Sequence, residues 1–307
     1  MRKDWSAIGW QGVSTILPSD WNLVAVSGDR TKGYFRADGP GNSAFETRWV
    51  SIAKPPDIES RLDKFLEDLK KAAKKRKIKF SSNIKNRKPT QCELRSGGSS
   101  LAFSWQSDRS ALGRILWCAE CKRLVIAQIV GPLDTDHSSI AGEILNSICS
   151  HEEQGWNVWG LYGFKLPIPD SFRLIKQQLM SSYVRLTFRG KEGELTVERW
   201  GLAESLIKDK GLEAWYNYEY RPENSGFAMR IQTSKHNGHE MIELQGSRKL
   251  LGRITMAPKI LFGKGQPNNL SAKVWFCGES NRIHSLRLLH SGHYSIINEI
   301  AKRIECH

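Results

Sequence analysis

Cys118 and Cys121 form a C-x-x-C pair that, with Cys149 and His151 as further donors, has the types and spacing to hold a metal ion or to cycle as a redox couple. A second stretch of similar sequence keeps Cys277 but has Ser280 where the second thiol would fall, so the pair is not part of a repeated design. These residues are therefore read as buried strand cysteines, with neither a metal nor any other cofactor expected. His236, His239, His290 and His293 lie in turn-like sequence without Cys or carboxylate partners at ligand spacing, and read as surface residues. No P-loop, Rossmann glycine fingerprint or G-x-S-x-G elbow occurs, and carboxylate pairs such as Glu152/Glu153 have no assembly around them. The expectation is a non-enzymatic protein with no small-molecule substrate.

The strongest chemical signal is cationic. The stretch KKAAKKRKIKF, Lys70 to Phe80, has seven Lys or Arg in eleven residues and no acid. Across 70–95 there are eleven basic residues and one acid, Glu93, while the rest of the first half carries a net −2. Basic residues suit a helix C-terminus through the macrodipole, but that effect acts over the last turn and is worth roughly 0.3 to 1 kcal/mol. Clustering so many like charges costs self-repulsion that a polyanion relieves. A second basic feature, 246–273, is a long loop mixing Leu250, Leu251, Met256, Ile260, Leu261 and Phe262 with its charges, against the much shorter QSDRSALGR at the matching place in the first half.

The residues expected to bind RNA are Lys70, Lys71, Lys74, Lys75, Arg76, Lys77, Lys79, Lys85, Arg87 and Lys88 in the first half, and Arg248, Lys249, Arg253, Lys259 and Lys264 in the second. No helix-turn-helix, C2H2 spacing, basic zipper or RNP signature is present, so the contacts expected are to phosphate, reading the shape of structured RNA rather than its sequence. Two anchoring points raise avidity where both engage. A protein-binding or trafficking adaptor is the alternative, and an anionic-membrane binder a further one.

The whole chain agrees with that bias: 46 basic against 32 acidic side chains over 307 residues leave +14, with a pI near 9.6. With 39% hydrophobic and 25% charged residues it has globular composition. The start, MRKDWSAIGW, has no apolar run behind its charges, and nothing approaches the length of a membrane span. Six cysteines without a secretory signal read as reduced thiols, so a soluble cytoplasmic protein is expected.

The elements that must carry these charges are written twice. Sliding the sequence by 151 positions superposes Trp5 on Trp156, Gly9 on Gly160, Gly12 on Gly163, Pro18 on Pro169, Leu23 on Leu174, Gly39 on Gly190, Arg48 on Arg199 and Trp49 on Trp200. About three such identities would arise by chance at ordinary composition. Cys118/Cys277 and Arg123/Arg282 match towards the ends of the halves, as do SSIAGEILNSICSH and YSIINEIAKRIECH, whose isoleucines share one helical face. Two domains, 1–151 and 152–307, follow. In each, four strands precede an amphipathic helix, beginning in the first half at PPDIES, and four more strands precede the closing helix.

Glycine-bearing strands followed by Pro-x-x-Trp (Pro18 to Trp21) or Pro-x-x-Phe (Pro169 to Phe172), a strand block, a helix, more strands and a closing helix resemble the PsbP-like sandwich. The resemblance implies an α+β fold of two tandem repeats, each an antiparallel sheet packed with two helices, and binding or accessory roles rather than a chemistry. In architecture, a doubled basic protein is also similar to the archaeal hibernation factors that occupy both ribosomal subunits. That likeness implies ribosomal RNA as the partner, and a bound protein that blocks functional centres and keeps idle ribosomes silent.

Overall fold

The computed structural model describes residues 5–85, 97–150, 155–208, 210–249, 267–292 and 295–306. It forms two compact units, Met1–Lys165 and Leu166–His307. The first runs β1 (Trp5–Trp10), β2 (Val13–Pro18), β3 (Asn22–Gly28), β4 (Lys32–Asp38), β5 (Ala44–Ser51), α1 (Ile58–Lys75), β6 (Ser81–Lys85), β7 (Ser99–Gln106), β8 (Ser110–Cys118), β9 (Arg123–Gly131), α2 (Ser138–Ser147) and β10 (Trp156–Leu161). Strand β11 (Phe164–Pro169) spans the division. The second unit continues with β12 (Arg173–Leu179), β13 (Tyr183–Gly190), β14 (Gly193–Gly201), α3 (Ala203–Ile207), α4 (Gly211–Glu219), α5 (Arg221–Asn224), β15 (Phe227–His236), β16 (His239–Arg248), β17 (Asn269–Cys277), β18 (Arg282–His290) and α6 (Ser295–Arg303).

Each unit is built on a seven-stranded antiparallel sheet, β3-β4-β5-β9-β8-β7-β6 in the first and β12-β13-β14-β18-β17-β16-β15 in the second. A four-stranded sheet, β11-β10-β1-β2, is separate from both, and in it β1 pairs with β10, Gly9 opposite Gly160. This overturns the expected α+β, PsbP-like sandwich of two helices per repeat: the chain is mostly strand, with three antiparallel sheets and, among the described residues, six helices. The order of elements in the first half is close to the expected one, but β1 and β2 do not join the main sheet. Pro18 lacks the N–H a continuing ladder needs, and its carbonyl closes the turn by accepting from Trp21 N at 3.0 Å. In the second half Gly211 and Pro222 punctuate the crossing region, and three short helices stand where one was expected.

The two described helices of the first unit lie on opposite faces of its sheet. Leu62, Phe65 and Leu66 of α1 pack on Leu101, Phe103, Ile115 and Trp117, burying side chains worth about 1.5–3 kcal/mol each. Arg114, adjacent to Ile115 and so on the other face, donates from Nη1 to Asn146 of α2 at 3.0 Å. In the second unit Trp215, Tyr216 and Tyr220 pack on Ile242, Leu244, Val274 and Ile283. No described helix is long and apolar enough to cross a membrane.

The 151-residue match slips within the sheets. Cys118 faces Arg123 and Cys277 faces Arg282, so these pairs are equivalent. Trp49 faces Val125, two residues beyond Arg123, whereas Trp200 faces Ile283, one beyond Arg282. A one-residue shift turns a strand over, and the two tryptophans accordingly occupy opposite faces of their sheets. Trp49 is buried and donates to the Asp29 carbonyl, while Trp200 packs edge-on against Trp215.

Candidate partner-binding surface

The basic run ends α1. Asp57 caps the helix start by accepting from Ser60 N at 3.0 Å, and the apolar stripe described above fixes which face turns inward. The face turned outward carries Lys70, Lys71, Lys74, Lys75 and Arg76, all exposed. The helix closes in a Schellman arrangement: Lys77 N donates to Lys74 O and Ile78 N to Ala73 O, both at 3.0 Å. Lys77 occupies the left-handed position, φ +58°, that glycine normally takes. Lysine there costs on the order of 1 kcal/mol against glycine, and it keeps a cation at the corner where the chain turns into β6. Lys77→Gly should raise unfolding stability by about 0.5–1 kcal/mol in urea titration while removing that charge.

Few acids oppose this patch. Glu67 pairs with Lys71 at 3.3 Å across one helical turn, and Asp108 pairs with Arg76, whose guanidinium bond holds the Asp108 carboxyl below the ordinary carboxylate range. Arg87 and Lys88 lie outside the described residues.

The segment after the helix, which the sequence suggests is an irregular basic loop, contains strand β6. Every residue from Ser81 to Lys85 is exposed. It pairs with β7 from Ser81 opposite Gln106 to Lys85 opposite Ala102, and it is the last strand in the described sheet order. Phe80 stacks on Trp105 at 6.1 Å and pins the start of the strand, and Trp105 Nε1 donates to Gln128 at 2.9 Å. Beside β6 lies a cleft of about 510 Å³, with Asn83, Ser104, Gln106, Leu112, Asp136 and His137 among its lining residues. Asp136 accepts from the Ser138 amide and hydroxyl at 2.8 and 2.9 Å, which lowers its pKa. His137 is buried, lies 3.3 Å from Ser43 Oγ, and is held below the usual histidine range by that burial.

The second basic feature is described only at its base. Arg248 is half-buried, with its guanidinium 5.3 Å from the Phe227 ring centroid and Nε donating to Pro267 O at 3.4 Å, and Lys249 is exposed. Arg253, Lys259 and Lys264 lie outside the described residues.

Other residues singled out by chemistry fall elsewhere. Cys118 is buried, as expected of a strand cysteine. Cys121 is half-buried with Sγ 3.1 Å from Ser150 Oγ, and its thiol pKa is pushed up by its hydrogen bond with Cys118 and by burial. His236 and His290, expected at the surface, are buried: His236 ends the β15–β16 hairpin 4.8 Å from the Trp275 ring, and His290 ends β18 with Nε2 3.0 Å from Ser271 Oγ. His239 joins Cys277 and Cys306 in a trio of donors that the sequence scatters over 68 positions.

No protein-family model matches the sequence, and no curated protein matches it. Among solved structures, the chain is similar to the immunity protein TplEi of the T6SS of Pseudomonas aeruginosa complexed with "L" peptide. The identity is 13% over 100% of this chain and 99% of that one, at a TM-score of 0.34. The apo structure of the same immunity protein matches at 13% identity over 99% of this chain and 97% of that one, with a TM-score of 0.32. Similarity at this level establishes neither fold nor function.

Proposed function

We propose that this chain is a non-enzymatic binding protein whose first unit captures an extended, acidic segment of a partner protein along β6. The carrying observation is the position of that strand: fully exposed, last in its sheet among the described residues, with exposed lysines at both ends and a cleft at its side. An added strand takes its affinity from main-chain hydrogen bonds and its specificity from pockets that receive alternate side chains. Here the cleft, on the face that carries Ser81, Asn83 and Lys85, would take one set of side chains, while the cations at the end of α1, on the opposite face, meet the acidic set. Lysine on an edge strand also discourages pairing with a second copy of the same basic edge, so the charge selects the partner as well as attracting it.

A second reading, structured RNA such as ribosomal RNA, is favoured by one observation: the exposed cations stand on two adjoining elements, α1 and β6, as phosphate anchoring needs. Hydrogen exchange separates the two. With a synthetic peptide alternating Glu and Val as probe, the amides of Ser81–Lys85 should gain protection, and binding should persist with a shallow salt dependence. A hairpin RNA that binds more tightly, with log K falling by roughly 0.7–0.9 per phosphate contact for each log unit of salt and no added protection in β6, would replace the protein reading.

A further inference from the structure

A second, independent site lies in the second unit. The hairpin between β15 and β16 turns through Asn237 and Gly238, both left-handed at φ +48° and +85°, so that His239 begins β16 immediately. Strand β17 ends at Cys277 opposite Arg282. After α6 the chain brings Cys306 back to the same corner, Sγ 3.6 Å from His239 Nε2. One donor atom from each of His239, Cys277 and Cys306 lies within 4.8 Å of the others, and both cysteines are buried.

We propose that His239, Cys277 and Cys306 bind a zinc ion, with the fourth position left to water. Zn–S bonds of about 2.3 Å and Zn–N bonds of about 2.0–2.1 Å in a tetrahedron set sulfur–sulfur edges of about 3.8 Å and sulfur–nitrogen edges of about 3.5 Å. The 3.6 Å contact matches the latter, and the remaining edges close by rotation of side chains already aimed at one another. Two thiolates and a neutral imidazole are a soft, charge-balancing set for a divalent d10 cation. Burial and the neighbouring Cys277 push the Cys306 thiol up to about 12. Zinc binding forms two Zn–S bonds and one Zn–N bond and releases both thiol protons to solvent. Arg282, opposite Cys277 at the end of β17, places a guanidinium beside the two sulfurs; burial lowers its pKa and the sulfurs partly offset that.

The first half supplies an internal contrast. In the closing-segment match Ser150 stands where Cys306 does, and Cys118 where Cys277 does. That corner carries Cys118, Cys121 and the Ser150 hydroxyl, joined through the 3.1 Å Cys121–Ser150 contact. Among the described residues, the second-half corner is the one that combines two thiols with an imidazole.

The test uses the reduced, metal-free full chain titrated with Co²⁺ and then Zn²⁺. One equivalent of Co²⁺ should bring up a thiolate charge-transfer band, which Zn²⁺ abolishes while about two protons are released per ion. Cys306→Ser should weaken binding by at least about a hundredfold and diminish the band. Since the first half carries serine at the corresponding buried place, this variant should keep its far-UV circular dichroism and its unfolding midpoint. Cys121→Ser should leave stoichiometry and spectrum unchanged. Absence of the band at one equivalent, or its loss in Cys121→Ser but not in Cys306→Ser, would overturn the assignment.

Discussion

Replacing Lys74, Lys75, Lys77 and Lys79 together with alanine should lower affinity for an acidic partner strand about thirtyfold at 0.15 M salt, without loss of stability. Each exposed cation at an interface rim contributes on the order of 0.5 kcal/mol, and four sum to about 2 kcal/mol. The loss should appear mainly as slower association, because rim charges steer encounter more than they hold the complex, and should shrink in high salt. The helix itself gains from the change, since alanine is at least as good a helix former as lysine at Lys74 and Lys75, and the left-handed turn at residue 77 is no harder for alanine. Surface plasmon resonance at two salt concentrations, with circular dichroism as the folding control, measures both effects. Unchanged affinity in a folded variant would remove the basic corner from the binding surface, whatever the partner.

Glu198→Ala should have the largest effect on stability, about 3 kcal/mol in guanidinium titration. The carboxylate is buried in the second unit and accepts hydrogen bonds from Tyr183 Oη at 2.5 Å and Tyr220 Oη at 2.7 Å, with Arg185 Nε at 3.7 Å. Burial, reinforced by that carboxylate, lifts both tyrosines far above their ordinary range, so both remain donors at any physiological pH. Removing the acceptor strands the buried Tyr220 hydroxyl and the half-buried Tyr183 hydroxyl and Arg185 guanidinium, each costing about 1–3 kcal/mol where no substitute partner forms, the buried one most. Glu198→Gln keeps the shape and an acceptor oxygen and should cost less than half as much. A fall below about 1 kcal/mol for the alanine variant would show that this network contributes little to the fold.

The basic run was legible in the sequence because charge density is a local property. The helix beneath it was equally legible, since Ile58, Leu62, Phe65, Leu66, Leu69 and Ala73 repeat at helical spacing behind an Asp57 cap. Strand β6 was not, because Ser81 to Lys85 has no alternation to bury: both of its faces are exposed, and only hydrogen bonding to β7 makes it a strand.

Composition and spacing alone determined that this chain is basic and internally repeated, with its first cationic cluster at the end of a helix, because each of these depends on residues close together in the chain or on their sum. Tertiary structure decided what depends on distant residues meeting. It separated β1 and β2 from the main sheet, turned Trp49 and Trp200 to opposite faces through a one-residue difference in register, and gathered His239, Cys277 and Cys306 into one corner. Sheet pairing is set by the mutual fit of strands far apart in sequence, and no local pattern records it.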